Sequence, residues 1–355
     1  MKAVRFHAAR DIRVEQVPEP GEPGPRQLLI RPRLCGICGT DLHEYLAGPI
    51  VTPTEPHPLT GARNPQILGH ELSADVVAVG AEVTAARPGD RVAVMPLVFC
   101  GRCYYCVRGL NHVCATMAAF GLSWAWGGLG ELAIVEEHQV AVLPDALSYV
   151  QGAMVEPAAV ALYGVDRGRV RPGDTVLVTG AGPIGALTVL AARAAGAGAV
   201  YVSEPNRVRA ALVAGLGAAD EVFDPRACDV AAEVRTRTGG IGVDVAIECG
   251  GSAPALNDCI RATRKAGTVV QTGLHTRPAE IDPMVVAEHD LTIEGTWCFR
   301  VRDWPRIISL IATGSFPVER VVTARIGHDE AVTAGFDVLV DPDGRELKVL
   351  VEVGA

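Results

Sequence analysis

The chain has 355 residues, of which 49% are hydrophobic and 21% are charged. At about 150 residues per domain this length predicts two or three domains, and the composition excludes wholesale disorder. The formal net charge of −9 excludes a general electrostatic attraction to nucleic acid or anionic lipid, so neither is expected as a partner. The N-terminus lacks the apolar segment of a signal peptide, and we expect a cytoplasmic protein without a membrane span.

Short hydrophobic runs alternate with turn residues over the first 45 positions, which predicts β-strands. Residues 46–66 hold five prolines and two glycines, so we expect an extended loop there. Further strands are predicted on both sides of a cysteine-rich segment, over 71–80, 90–98 and 131–144. A helix is predicted over Tyr149–Arg167.

Strand and helix patterns alternate from residue 174 to about residue 296. Six strands with crossover helices in about 120 residues are typical of a doubly wound parallel sheet. The tail predicts a helix over 304–314, a turn over 341–344 and a final strand over 347–353. The β-rich segments on either side indicate that one domain, 158–296, is inserted into another, which comprises 1–157 and 297–355.

Four of the ten cysteines lie within fifteen residues, namely Cys100, Cys103, Cys106 and Cys114. Thiolates at this spacing can converge on one tetrahedral Zn²⁺ without an open coordination position, which predicts a structural zinc lobe over 100–114. An iron–sulfur cluster uses similar ligands, and a nucleic-acid-binding zinc module is a second alternative. The net negative charge of the chain and the scarcity of positive charge in this segment disfavour nucleic-acid binding. They favour a surface loop that is held together by a structural zinc ion.

Cys38, His70 and Glu156 come from three separate stretches of sequence. Together they can form an open zinc site, in which the remaining position takes water or substrate. Each residue alone also has a structural interpretation, as a buried apolar cysteine, a core histidine or a carboxylate near a helix N-terminus.

Gly180, Gly182 and Gly185 lie between a predicted strand and a predicted helix. Glycines at this spacing permit a tight turn and the close approach of a pyrophosphate to the helix N-terminus. Glu204 follows about twenty residues later, at the end of the next strand, where a carboxylate accepts hydrogen bonds from both ribose hydroxyls and repels a 2′-phosphate. The motif therefore predicts NAD rather than NADP.

Taken together, these motifs resemble the zinc-containing medium-chain alcohol and polyol dehydrogenase family over essentially the whole chain. The most specific are GHE at 69–71, the four-cysteine segment and VTGAGPIG at 178–185. Within that family, less specific segments at 43–50 and 57–61 and in the C-terminal stretch are similar to the (R,R)-2,3-butanediol dehydrogenases. The resemblance implies an α/β protein with a GroES-like β-rich catalytic domain, an inserted Rossmann domain, two zinc ions per chain and a homodimer or homotetramer.

The resemblance assigns the catalytic zinc ligands by position. Cys38, rather than Cys35, matches the cysteine ligand, because it directly precedes the Gly-Thr-Asp tripeptide. His70 matches the second ligand. Glu71 and Glu156 both match carboxylates of this site, and either one could bind zinc directly or through water.

Thr40 and His43 match the proton relay of the family, in which a hydroxyl beside the zinc passes a proton toward an imidazole. The four cysteines of the lobe match the structural zinc ligands. On the cofactor side the resemblance implies a set of NAD-binding positions, which are Gly180, Gly182, Ile184, Gly185, Glu204, Arg209, Thr272, Gly273 and Leu274.

The implied activity is the reversible, zinc- and NAD-dependent oxidation of a secondary alcohol or vicinal diol to the ketone. The alternatives within the family are a sorbitol-like polyol, a threonine-like amino alcohol and a bulkier ketone as substrate. Glu44 stands where sorbitol-type relatives carry an aromatic residue, which disfavours a long polyol. Trp124 and Trp126 either face the substrate, which would then be bulkier or more apolar than butanediol, or pack at a domain edge. Outside the enzymes, the alternative is a zinc-ribbon binding protein with a degenerate nucleotide fold.

Overall fold

The computed structural model describes residues 1–341 and 344–354 and divides into two compact units. Unit 1 comprises Met1–Glu156, Arg300–Ala312 and Val322–Ala355, and unit 2 comprises Pro157–Phe299 and Thr313–Val321. Unit 2 is thus a long insertion in the sequence of unit 1. The predicted domain limits, 1–157 plus 297–355 and 158–296, stay predictions.

The N-terminal part of unit 1 is built mainly from short strands. Its strands are β1 (Lys2–Ala8), β2 (Asp11–Gln16), β3 (Gln27–Gly36), β4 (Gln66–Ile67), β5 (Glu71–Val79), β6 (Arg91–Val94), β7 (Leu97–Val98), β8 (Ala118–Ala119), β9 (Ala133–Glu136) and β10 (Val140–Val142). Its helices are α1 (Gly39–Ala47), α2 (Tyr149–Ala153) and the first residues of α3 (Val155–Gly168). The strands predicted from the sequence are confirmed, except that the segments predicted over 90–98 and 131–144 each contain two short strands.

Two features of this region differ from the prediction. The helix predicted over Tyr149–Arg167 is two helices, because Met154 caps α2 and Pro157 has no N–H to continue its hydrogen-bond ladder. Helix α1 was not predicted. It begins after Cys38, whose N–H is accepted by the side chain of Asp41 in the first turn, as in a capping box.

Unit 2 contains the parallel sheet that the sequence predicts. Its strands are β11 (Thr175–Thr179), β12 (Ala199–Ser203), β13 (Glu221–Phe223), β14 (Val243–Glu248), β15 (Thr263–Gln271) and β16 (Thr292–Gly295). They pair in parallel in the order β13-β12-β11-β14-β15-β16. The crossover helices are α4 (Pro183–Ala194), α5 (Arg207–Gly215), α6 (Val230–Arg237), α7 (Ala253–Ala262) and α8 (Pro283–Glu288). The sequence analysis predicted crossover helices throughout this series but gave no bounds for α7 and α8.

The C-terminal part returns to unit 1. Its elements are α9 (Trp304–Ala312), β17 (Ala324–Gly327), α10 (Asp337–Val340) and β18 (Val349–Glu352). The predicted helix over 304–314 and the predicted last strand are confirmed. The predicted turn over 341–344 includes Pro342 and Asp343, which lie outside the described residues.

The main sheet of unit 1 has the order β10-β6-β5-β3-β18-β17, with β9 also paired to β3. β3 therefore lies between β5 and the C-terminal strand β18. Gly36, at the end of β3, is opposite Glu71 on one side and Leu350 on the other. This arrangement brings the beginning of β5 close to the last strand of the chain. Among the described residues, no helix is both long and apolar enough to cross a bilayer.

Candidate metal centres and cofactor site

The four cysteines of the lobe converge. Their sulfur atoms all lie within 4.8 Å of one another, and Cys103 Sγ is 4.0 Å from Cys114 Sγ. A tetrahedral zinc site with Zn–S bonds of about 2.3 Å needs sulfur–sulfur separations of about 3.8 Å. In the described part of the chain, no other set of three or more Cys, His, Asp or Glu side chains brings its ligand atoms this close. The lobe therefore fits a zinc ion held by four thiolates.

Backbone N–H groups surround one of these sulfurs. The N–H groups of Ala115 and Cys106 lower the pKa of Cys103 to about 6, because they stabilise the thiolate. Burial and the neighbouring thiols raise the pKa of Cys106 to about 12. Cys103 can therefore ionise before a metal binds, whereas Cys106 keeps its proton. A divalent cation would stabilise the thiolate form of all four cysteines.

A second cluster lies on the buried side of α1. Cys38 caps α1, His70 and Glu71 stand at the beginning of β5, and Glu156 lies in the first turn of α3. His70, Glu71 and Glu156 are 5%, 1% and 8% exposed, and all four residues are electrostatic neighbours. The structure thus brings together the four predicted ligands of the catalytic zinc, with their ligand atoms more widely spaced than the sulfurs of the lobe.

Asp41 ties two of these ligands to each other, and the sequence analysis missed it. Its side chain is fully buried, and its Oδ2 accepts the N–H of Cys38 at 2.9 Å. Its Oδ1 lies 3.6 Å from Nδ1 of His70, and neither atom has a hydrogen-bond partner among the described residues. A carboxylate that faces one ring nitrogen directs the other toward a metal, so Asp41 orients His70 as a ligand. Its place in the Gly-Thr-Asp tripeptide was the available signal.

Lys348 is a second residue that the sequence analysis missed. It is 1% exposed, and its Nζ donates to Glu71 Oε2 and, at 3.0 Å, to the carbonyl oxygen of Ile37. Burial lowers the pKa of Lys348, but the negative groups around it, Glu71 first, raise that pKa more, so the lysine is charged. A lone lysine between the buried Leu347 and Val349 was the signal in the sequence.

The donor set of this cluster suits a zinc ion. Burial, with the charge of Glu71, raises the pKa of the Cys38 thiol well above its usual range. Burial, with a smaller contribution from the charge of Glu71, raises the pKa of Glu156 to about 8. A buried cluster of acids with one lysine lacks positive charge, which a divalent cation would supply. Thiolate, imidazole and carboxylate are the ligands of catalytic zinc sites, so these residues fit the metal.

The predicted relay residues lie on α1. Thr40 and His43 are three positions apart, which places them on the same face of the helix, and both are half-buried. Thr40 Oγ1 is 3.7 Å from the sulfur of Cys38. The structure therefore puts the hydroxyl beside the candidate zinc ligand and the imidazole one turn farther along.

Glu44 has a structural environment that the sequence did not indicate. Its carboxylate is fully buried and accepts the N–H groups of Ile50 and Val51 and the hydroxyl of Thr52. Glu44 thus holds the loop that follows α1. The structure therefore explains the acidic residue at this position by its role in the loop. Glu44 alone is no argument against a long polyol substrate.

The tryptophan pair packs into unit 1. Both Trp124 and Trp126 lie against its hydrophobic core, and the indole N–H of Trp124 donates to the carbonyl oxygen of Ile134 at 3.0 Å. These contacts favour the packing interpretation of the pair over a role in contacting substrate.

The glycine turn of unit 2 has the predicted backbone. Gly180 has φ +84°, and a Cβ there would lie 2.7 Å from Cα of Gly250. A Cβ on Gly185 would overlap the carbonyl oxygen of Gly180, so α4 packs directly on the turn. Gly182 caps α4, and the free N–H groups of the first helical turn are available to a pyrophosphate.

Glu204 supports the same turn. It is 4% exposed, and its two oxygens accept the N–H groups of Ala181 at 2.6 Å and of Asn206 at 2.7 Å. Each carboxylate oxygen can accept a further hydrogen bond, so ribose hydroxyls can still be bound. Arg209 lies in the first turn of α5, and Ile184 in that of α4.

The remaining predicted cofactor residues follow β15. The N–H groups of Thr272 and Gly273 both donate to the carbonyl oxygen of Glu248 at 2.9 Å, which fixes the backbone at the end of the strand. The side chain of Leu274 is 46% exposed. Their assignment to the nicotinamide end stays a prediction.

Two family models match the chain. That of the alcohol dehydrogenase GroES-like domain matches residues 24–145, and that of the zinc-binding dehydrogenases matches residues 183–313. The first match includes the four-cysteine lobe and three of the four predicted catalytic ligands. The second begins within the glycine turn of unit 2.

Relatives with known names match over the full length. The (R,R)-butanediol dehydrogenase of Bacillus subtilis (strain 168) is 41% identical over 354 residues, which are 99% of each chain. A crystal structure of 2R,3R-butanediol dehydrogenase from Bacillus subtilis has a TM-score of 0.91 and 38% identity, and covers 99% of both chains. A zinc-binding dehydrogenase of Sinorhizobium meliloti 1021 bound to NADP has a TM-score of 0.88 and 35% identity, and the match covers 99% of this chain and 98% of the other.

Proposed function

Since the chain belongs to the zinc-containing medium-chain alcohol dehydrogenase family, we propose that it oxidises 2,3-butanediol or a similar small vicinal diol with NAD. The coarser activity, that of a zinc-dependent dehydrogenase of secondary alcohols or diols, follows from the full-length relatives. The observation that carries the proposal is the buried cluster of Cys38, His70, Glu71 and Glu156, in which Asp41 contacts the first two ligands.

In the proposed catalytic site, Cys38 and His70 hold a zinc ion together with one of the two glutamates, Glu71 or Glu156. When bound, zinc would supply Lewis-acid chemistry at the substrate oxygen, and a nicotinamide cofactor would supply the acceptor for the hydride. Asp41 Oδ1 faces Nδ1 of His70 at 3.6 Å, and its negative charge favours a proton on that nitrogen, which leaves Nε2 for the metal. The capping bond from Cys38 to Asp41 fixes the thiolate at the start of α1.

The proton of the alcohol needs a path out of the buried cluster. We assign this to Thr40, whose hydroxyl is beside Cys38, and to His43 on the same face of α1. The half-buried imidazole of His43 reaches solvent, so it can pass the proton to water. These two side chains move a proton and take no part in binding the metal.

We propose a second, structural zinc in the cysteine lobe. The convergence of four free thiols supports it, because a site with four protein ligands has no position for substrate. Its contribution is to fold stability.

The preference for NAD is proposed on Glu204. Its buried carboxylate is bound by the N–H of Ala181 in the glycine turn, close to where a ribose would lie. A 2′-phosphate there would meet a fixed negative charge. Because one relative was crystallised with NADP, the preference of this chain for NAD or NADP is the first property to measure.

The chain is further proposed to form a homodimer or homotetramer. β16 is the edge strand of its sheet, and Ile293 on it and Trp297 just after it are 41% and 48% exposed. An exposed apolar edge strand is a surface on which strands of two copies can pair.

The experiment is a turnover assay at 340 nm with NAD and NADP in parallel. The substrates are the three stereoisomers of 2,3-butanediol, sorbitol, threonine and several bulky secondary alcohols. The proposal expects one butanediol stereoisomer to have the highest kcat/KM and NAD to be preferred. Faster turnover of sorbitol or threonine, or a preference for NADP, would contradict the finer assignment while leaving the family unchanged.

A further inference from the structure

Lys348 is an unusual residue for the interior of unit 1. Among the described residues, it is the only lysine or arginine in the buried class. It directly precedes β18, and its ammonium group has two partners, the carboxylate of Glu71 and the carbonyl oxygen of Ile37. Burying a charge is unfavourable unless it is paired, so the pair with Glu71 explains why a lysine is tolerated here.

The sheet is built so that this pair can form. β3 lies between β5 and β18, and its Gly36 is in register with Glu71. A Cβ on Gly36 would overlap the Glu71 carboxylate and lie 3.0 Å from Cε of Lys348. Because Gly36 has no side chain, Lys348 and Glu71 can contact each other over β3. A larger residue at this position would separate them.

The pair belongs to the candidate catalytic cluster. Glu71 interacts electrostatically with Cys38 and Glu156, and so does Lys348. Since Oε2 of Glu71 already accepts from the ammonium group, Oε1 is the oxygen with its full capacity left to face the metal position or a water there. Without the lysine, both oxygens and the whole charge of the carboxylate would be available.

We propose that Lys348 is a positioning residue of the catalytic centre, which acts through Glu71. It fixes one oxygen of that carboxylate and offsets its charge, so that Glu71 presents a single oxygen to the metal position. The inference rests on the proposed catalytic zinc and goes beyond it, because it assigns a role to a residue that does not bind metal or substrate.

The test uses three variants of the full-length protein: Lys348→Met, Glu71→Gln and the double variant. Met keeps most of the apolar length of lysine, and Gln keeps the shape of the carboxylate. Lys265→Met, at an exposed lysine of unit 2, is the matched control. Each protein is loaded with Co²⁺ in place of zinc, and the visible absorption bands and the rate of metal release to a chelator are measured.

In Lys348→Met, the Co²⁺ bands of the Cys38 centre should shift, because the carboxylate changes how it faces the metal. Release of that metal ion should change by about tenfold or more, the range seen when groups that orient metal ligands are altered. The control should match the wild type. Unchanged bands and release in a folded Lys348→Met protein would overturn the proposal, since a purely structural lysine would not affect the spectrum.

The double variant keeps the test decisive if Lys348→Met does not fold. Once Glu71 is neutral, the lysine can affect the metal only through its own charge, so its removal should have a small effect. Glu71→Gln and the double variant should therefore differ in release rate by much less than tenfold. A difference of tenfold or more would show that Lys348 acts otherwise than through Glu71 and would overturn the proposal.

The same samples separate this inference from the proposed function. If the wild type binds one Co²⁺ per chain and Cys38→Ser leaves the spectrum unchanged, the catalytic zinc itself is wrong. If the wild type binds two and the spectrum responds to Cys38→Ser but not to Lys348→Met, only the role of Lys348 is wrong.

Discussion

The two candidate metal centres of unit 1 are built in opposite ways. The cysteine lobe takes all four ligands from fifteen consecutive residues, and local backbone N–H groups stabilise the thiolate of Cys103. The catalytic cluster takes its groups from α1, β5 and α3, and its ion pair with Lys348 comes from the C-terminal end of the chain. The cysteine lobe can therefore be predicted from the spacing of its residues in the sequence, whereas the catalytic cluster forms only once the sheet has folded.

The centres also differ in charge. The pKa of Cys103 is lowered by N–H donors, while the pKa values of Cys38 and Glu156 are raised, first of all by burial. The lobe thus favours a thiolate at Cys103 before a metal binds, and the catalytic cluster favours neutral acids at Cys38 and Glu156 until a cation binds. The first centre should govern stability and the second should govern turnover.

Cys38→Ser should separate the two centres most clearly. A metal ion contributes several kcal/mol to a transition state of this kind, so kcat/KM should fall by about three orders of magnitude. The melting temperature should stay close to that of the wild type, because the lobe is intact. Steady-state kinetics and thermal unfolding check both. Cys228→Ser, at a partly buried cysteine of unit 2, is the control. Retained activity in Cys38→Ser would contradict the assignment of Cys38 to the catalytic centre.

Cys103→Ala should have the complementary effect. Structural zinc contributes folding free energy, so its loss should lower the melting temperature by about 10 °C. Thermal unfolding with and without a chelator measures this, with Cys228→Ala as the control. An unchanged melting temperature would mean that the lobe does not hold a stabilising metal.

Glu204→Ala tests a site outside both centres. Loss of hydrogen bonds to a charged group costs about 1.5–3 kcal/mol, so the KM for NAD should rise by about ten- to a hundredfold. The KM for NADP should rise far less, and the zinc content should be unchanged. Glu233→Ala, at a partly exposed position on α6, is the control. Equal effects on the two cofactors would show that Glu204 does not contact the ribose.

The smallest effect concerns pH and the metal-free protein. The pKa of Glu156 is raised from 4.5 to about 8 in the folded state, mainly by burial. Between these values the unfolded chain has lost the proton that the folded chain keeps, so stability falls as pH rises through this window. The expected slope is about 2–4 °C of melting temperature per pH unit. Glu156→Gln should flatten it, and an equal slope in that variant would assign the effect to another group.

Most of the fold could be predicted from the sequence because its signals are local. The alternation of strands and helices predicted the parallel sheet, and the cysteine spacing predicted a convergence that the structure contains. Asp41 and Lys348 were missed, because nothing in the sequence shows that the first turn of α1 and the last strand meet β5. The assignment of Cys38, His70 and Glu156 depended on a family resemblance for the same reason.

The most direct test of two distinct centres is the zinc content of the purified wild-type protein, measured together with its turnover of 2,3-butanediol. Loosely bound metal is first removed by a weak chelator. We expect about two zinc ions per chain, one for each kind of centre, and NAD-dependent turnover in the same sample. One zinc ion per chain without turnover would show that only the cysteine lobe holds metal and would contradict the catalytic centre.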